Sequence, residues 1–269
     1  PPVKIAAAIL LFLSAVAAHA LTPMAGHRLL WSSSISDSVP VDYFGAWMTS
    51  TGTGQKQAIR VSLGTPCIID WGDGATSNVV GTATVDHYYD SGGDFQIKLT
   101  GDAQSVILGY GYAAGRARFN SVGRCAGISP VSWSNSFDNL VNVTNIAPDL
   151  FDYDGAEDVT SLYRTFYGCN RAPAFPPIGH MTNLLSLSGT WGYCVSATSF
   201  PPVSNLVKLT SLGWKSAGAW YSCTNCPVFP SVAALTNLVS LEGAWDLTRA
   251  AAYPDASGLT KVTTIRYAW

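Results

Sequence analysis

From residue 159 onward the apolar positions recur in threes: Val159/Leu162, Met181/Leu184/Leu187, Leu206/Leu209/Leu212, Leu235/Leu238/Leu241 and Leu259/Val262/Ile265. Four residues after the last aliphatic of each group stands an aromatic, Phe166, Trp191, Trp245 or Trp269, and a four-residue insertion in the third copy delays it to Trp220. Three residues beyond the aromatic comes Cys169, Cys194 or Cys223, and nine beyond comes Phe175, Phe200 or Phe229, each followed by Pro. A weaker earlier copy reads Leu140/Val143/Ile146/Leu150. The anchors Leu162, Leu187, Leu212, Leu241 and Ile265 are 25, 25, 29 and 24 residues apart. A unit of that size cannot bury its own apolar side, so the pattern predicts stacked coils with the leucines and aromatics as core. Proline after the second aromatic ends each segment by removing a donor and fixing φ.

Upstream, residues 67–100 alternate apolar and polar positions over Cys67 to Trp71 and Phe95 to Leu99, around turns rich in Gly, Asp and Asn. This predicts antiparallel β-structure. The stretches Ile69-Asp70-Trp71-Gly72-Asp73-Gly74, Asp86-His87-Tyr88-Tyr89 and Gly93-Asp94-Phe95-Gln96-Ile97 resemble the WGDG, HxY and GxY elements of PKD-like β-sandwich domains. The coil phrase, from Asp158 through Leu162 and Phe166 to Cys169, resembles the repeats of BspA-like leucine-rich-repeat proteins of bacterial cell surfaces, and its period falls in the leucine-rich-repeat range. Together these predict a mainly β chain. A signal-like segment spans 1–27, a PKD-like antiparallel β-sandwich 28–125, and a short leucine-rich-repeat-type solenoid 126–269. The resemblance covers roughly residues 40–269 and implies surface location and binding in place of catalysis. Tryptophan where the family carries phenylalanine implies wider packing.

Charge and cysteine content refine this. Only 12% of residues are charged, about half the usual share, and the mean hydropathy is +0.19. A net charge of -2 with no basic run excludes a nucleic-acid partner held through phosphates. The N-terminus carries Lys4, an apolar run from Ile5 to Ala18 and then Ala18-His19-Ala20, which reads as a secretory signal and places the protein outside the cell or on its surface. The run is shorter than the roughly 20 residues of a membrane-spanning helix. The other reading is a retained apolar arm, which would need a partner surface to cover it. In an exported chain, Cys67, Cys125, Cys169, Cys194, Cys223 and Cys226 are disulfide candidates. Cys169 with Cys194, a local Cys223–Cys226 loop and buried free thiols all remain open. Zinc is the weaker reading, because the CxxC at Cys223 has no second pair.

The sequence holds no GxSxG, HExxH, P-loop or strand-to-helix GxGxxG pattern, so no enzyme is expected. Asp149, Asp152, Asp154, Glu157 and Asp158 crowd around a glycine and form a candidate Ca2+ site, against the alternative of a solvated loop. Asp70, Asp73 and His87 read as turn formers before they read as an acid–base group, because Gly72 and Gly74 demand a tight bend. The last repeat ends on the core aromatic Trp269, which leaves that coil uncovered. The leading expectation is therefore an extracellular structural protein whose copies join head to tail into filaments, with Ile9, Leu10, Leu11, Phe12, Leu13 and Trp269 as assembly residues. The alternative is a secreted or surface adhesin that binds protein or glycan ligands through the solenoid face.

Overall fold

A computed structural model describes residues 43–214 and 217–268 and, of residues 63–65, the backbone alone. Contacts divide the chain into Pro1–Pro40 and Val41–Trp269, and only the second unit is described. It is mainly β. Strands β1 (Phe44–Ser50), β2 (Gln55–Asp70), β3 (Thr76–Val79), β4 (Ala83–Tyr89), β5 (Gly93–Leu108), β6 (Phe119–Val122) and β7 (Asn145–Ile146) form one sheet. Its order is β3-β2-β5-β1-β6-β7, with β4 also on β2. All pairings are antiparallel except β6 with β7. One helical turn, α1 (Ala113–Arg116), follows β5.

Alternation sets the core face. Phe44, Ala46, Met48 and Ser50 of β1 are buried on one side, as the two-residue period of a strand requires. The long strands β2 and β5 are bulged where Pro66 denies the ladder a donor, and the register shifts between Ser62 and Leu63 and again before Cys67. Gly101 faces this bulge at φ +106, and a Cβ there would lie 2.5 Å from the Pro66 carbonyl oxygen, so only glycine fits. Along β5 the inward residues change from Ile97, Leu99 and Ala103 to Val106 and Leu108, a switch of parity produced by the first shift.

Residues 71–75 link β2 to β3, and their carboxylates hold the bend. Asp70 Oδ1 accepts from Gly72 N at 2.9 Å, and Asp73 Oδ1 from Ala75 N at 3.0 Å. Asp73 Oδ2 meets His87 Nε2 at 2.6 Å, and the His87 ring stacks on Trp71 at 4.8 Å. Tyr89 Oη donates to the Trp71 carbonyl at 2.9 Å. Burial pushes the Asp73 carboxyl up, but the Ala75 N–H and the His87 ring outweigh it and hold the group below its usual range.

The coils begin against this sheet. Ser136 O accepts from Leu108 N at 3.0 Å, and Phe44 of β1 packs on Trp133 and Phe137 at 6.1 and 6.2 Å. Sheet and coils thus share one hydrophobic core across the boundary expected near residue 125. Successive coils join by parallel single-residue bridges, Ser161 to Ser186, Ser186 to Ser211, Ser211 to Ser240 and Ser240 to Thr264. Leu162, Leu187, Leu212 and Leu241 donate their N–H to the next coil's carbonyl and point their side chains inward, all buried. Two aromatic columns fill the interior. One holds Phe137, Phe166, Trp191, Trp220 and Trp245, with Trp220 stacked at 5.8 Å on Trp191 and 5.7 Å on Trp245. The other runs through Phe175, Phe200, Phe229 and Tyr253. The repeat therefore starts earlier than the Leu140 copy implies: Phe137 lies under Phe166, and Leu140 holds the place of Cys169.

The four-residue insertion of the third coil is a hairpin of β8 (Gly213–Trp214) and β9 (Ala217–Gly218). Side chains on Gly213 or Gly218 would collide with the Glu242 or Gly243 carbonyl of the next coil, so glycine on both strands lets the hairpin leave the stack. Replacing Leu212 by Ala is expected to cost about 2–5 kcal/mol, read as a lower denaturant midpoint at unchanged slope. Val207→Ala, at a half-exposed neighbouring site, should change stability by less than about 0.5 kcal/mol.

Candidate ligand-binding strip on the coils

Each coil bends tightly after its inward aromatic, and all but the third, where β9 leads in, bend before it as well. The residue two before it is left-handed in Asn135, Arg164, Gly189 and Gly243, and the residue two after it in Asn139, Gly168, Tyr193, Ser222 and Leu247. With the aromatic aimed inward, the two residues that follow it take the bend. Coil by coil these are Asp138/Asn139, Tyr167/Gly168, Gly192/Tyr193, Tyr221/Ser222 and Asp246/Leu247. From Tyr167 onward a large side chain alternates with a small one, so the bulky groups zigzag up the stack without colliding. Gly192 makes the room: a Cβ there would stand 2.8 Å from the Tyr167 ring.

The result is a row of tyrosines. Tyr193 packs edge to face between Tyr167 at 5.2 Å and Tyr221 at 5.0 Å, with interplanar angles of 74° and 67°. Tyr193 is 37% exposed and Leu247, at the equivalent position two coils on, is 60% exposed. For L-residues the left-handed conformation costs about 1–2 kcal/mol, so Tyr193 and Leu247 hold their places against a local preference for glycine.

One end of the row is cationic. The Arg164 guanidinium lies 3.8 Å from the Tyr167 ring centroid, a cation–π contact. Arg164 Nη2 and Arg116 Nη1 donate to the two oxygens of buried Asp138, each at 3.0 Å, so two guanidiniums share one carboxylate. Burial works against the Arg164 charge, and Asp138 more than restores it. A hydrogen bond with Tyr193, then burial, then the nearby Tyr193 and Asp246 push Tyr221 up to about 12. Burial and Tyr193 likewise raise Tyr167. Next to the row stands the inserted hairpin. A Cβ on Gly189 would sit 3.0 Å from the Arg164 side chain and 3.5 Å from Ala217, and Trp214 on the hairpin is 59% exposed.

The residues expected from the sequence lie elsewhere. All six cysteines are free and buried. The repeat cysteines point at backbone instead of at each other: Cys169, Cys194 and Cys223 donate to the carbonyls of Phe137, Phe166 and Trp191 on the preceding coil at 3.2, 3.1 and 3.0 Å. Cys226 donates to Val228 O at 3.1 Å. Burial pushes these thiols up. Cys67 and Cys125 are buried in the sheet region.

Of the acidic cluster, Asp152, Asp154, Glu157 and Asp158 are exposed, while Asp149 lies 3.9 Å from Arg124 Nε. Asp149 and Asp152 line an open depression of about 420 Å³ with Pro148, Pro177 and His180. Among the described residues no group of three or more His, Cys, Asp or Glu is placed to hold a metal ion. The assembly residues Ile9, Leu10, Leu11, Phe12, Leu13 and Trp269 lie outside the described residues.

Sequence reasoning passed over Tyr167, Tyr193 and Tyr221. The signal was present, because aligning coils on the inward aromatic puts them at two adjacent positions in alternation. Comparison with protein families, curated proteins and solved structures finds no match.

Two outcomes follow. A thiol reagent should find six reactive thiols after unfolding without reductant and almost none in the native protein. Because Tyr221 is raised in the folded state, its contribution to stability is complete below the unfolded value near 10 and is lost as pH rises toward about 12. Denaturation midpoints should fall across that interval, and more shallowly in Tyr221→Phe.

Proposed function

We propose that this chain is a non-enzymatic binding protein of an extracellular surface. In this reading a PKD-like β-sandwich, made by folding the bulged sheet, supports a leucine-rich-repeat-type solenoid whose outer bends meet the ligand. The observation that carries it is the tyrosine row: left-handed Arg164 and Tyr193 both supply it, and Gly192 clears space for it. Tyrosine suits such a surface, since it offers large amphipathic contact area with few rotatable bonds. A rigid scaffold presenting side chains from its bends is also a common arrangement for recognition. The location rests on the signal-like segment, and the homopolymer reading draws on that segment, on Trp269 and on the low charge content, and on nothing in the row.

The test is retention of the purified chain on immobilised panels of extracellular proteins and glycans. At least one saturable ligand is expected, bound at least tenfold more weakly by Tyr193→Asn. Panels without any saturable ligand, or ligands held equally by the variant, would overturn the proposal.

A further inference from the structure

We infer that the row docks a proline-rich segment of a partner protein in the polyproline II conformation, laid along the coil stack with an acidic residue at the Arg164 end. This rests on the binding reading above and names its partner class.

Spacing is the first argument. Bridged coils repeat at about the 4.8 Å separation of hydrogen-bonded strands, and polyproline II advances about 3.1 Å per residue with three residues per turn. One ligand turn therefore spans two coils, which brings the same ligand face to Tyr167 and to Tyr221. Tyr193 stands between them at 5.2 and 5.0 Å, with its ring steeply inclined to both.

Hydrogen bonding is the second. A polyproline II backbone keeps its carbonyls unpaired, and its prolines have no N–H to give. The row answers with the Arg164 N–H groups that Asp138 leaves free and with the one O–H that the linked tyrosine hydroxyls do not spend on each other, beside rings that suit pyrrolidine faces.

Charge sets direction. Arg116 and Arg164 share the single carboxylate of Asp138, leaving a net positive end, whereas Asp246 follows Tyr221 on the next coil. A ligand with its acid at the first end and a base at the second meets both.

The experiment is calorimetric titration of the full chain with a synthetic proline-rich decapeptide carrying Glu at one end and Arg at the other. An uncharged proline-rich peptide and a set of neutral oligosaccharides are titrated in parallel. The charged peptide should bind, and the uncharged one should bind more weakly. Tyr193→Asn removes the ring while keeping a residue that accepts the left-handed conformation, so its melting should match the native chain and its affinity should fall at least tenfold. Tyr167→Phe and Tyr221→Phe keep the rings and break the chain of hydroxyls, and a smaller loss is expected. Absence of peptide binding, or equal binding by a folded Tyr193→Asn, overturns the inference. Oligosaccharide binding that depends on Tyr193, without peptide binding, overturns the peptide assignment while leaving the binding surface intact.

Discussion

The structure depends on one constraint: a coil of some 25 residues has too little surface of its own to shelter its leucines and aromatic, so each must be covered by its neighbours. Trp220 shows this, stacked on Trp191 and on Trp245. Backbone donors of one coil then find acceptors on the next, and side chains reach the other way. Thr165 Oγ1 donates to Trp133 O at 3.0 Å and Thr190 Oγ1 to Leu162 O at 2.9 Å, alongside the three cysteine thiols. The stack is not free of conflict. The indole N–H groups of Trp191 and Trp220 are buried without an acceptor, so ring packing prevails over a hydrogen bond there.

The outer strip is a consequence of the inner column. An aromatic that must point inward in every coil fixes a bend after it, and the bend sets which residues face out. Once the coils are in register, side chains at one bend are held at strand spacing, which a single loop does not provide. Arg164 and Tyr193 use positions where glycine would be the easier choice. The sheet contributes the first surface for the column through Phe44, and its α1 turn supplies Arg116 to the Asp138 pair.

Much of the interior was legible in the sequence, because burial imposes a period. The three-residue spacing through Leu241, the inward aromatics from Phe166 to Trp245 and the third-coil insertion correspond to positions in the structure, whereas Ile265, expected as the next anchor, is 61% exposed. Tyr253-Pro254 and Phe137 were less legible, since tyrosine and an earlier, degenerate copy break the apolar pattern while the packing keeps it. The cysteines read differently in sequence and structure: an even count would favour bridges in an exported chain, whereas in the structure the repeat thiols lie 3.0 to 3.2 Å from a carbonyl of the coil before. The acidic residues around Gly155 are neighbours in the chain, and the structure sends most of them into solvent. The tyrosine row was hidden because alternation between two adjacent positions is invisible to a search for one conserved column.

Native-state hydrogen exchange tests the stacking constraint most directly. The amides of Leu162, Leu187, Leu212 and Leu241 each donate to the following coil, so they should exchange only with cooperative opening of the stack and share one high free energy. Exchange of these four amides as fast as those of the exposed turn at 51–54 would contradict the account.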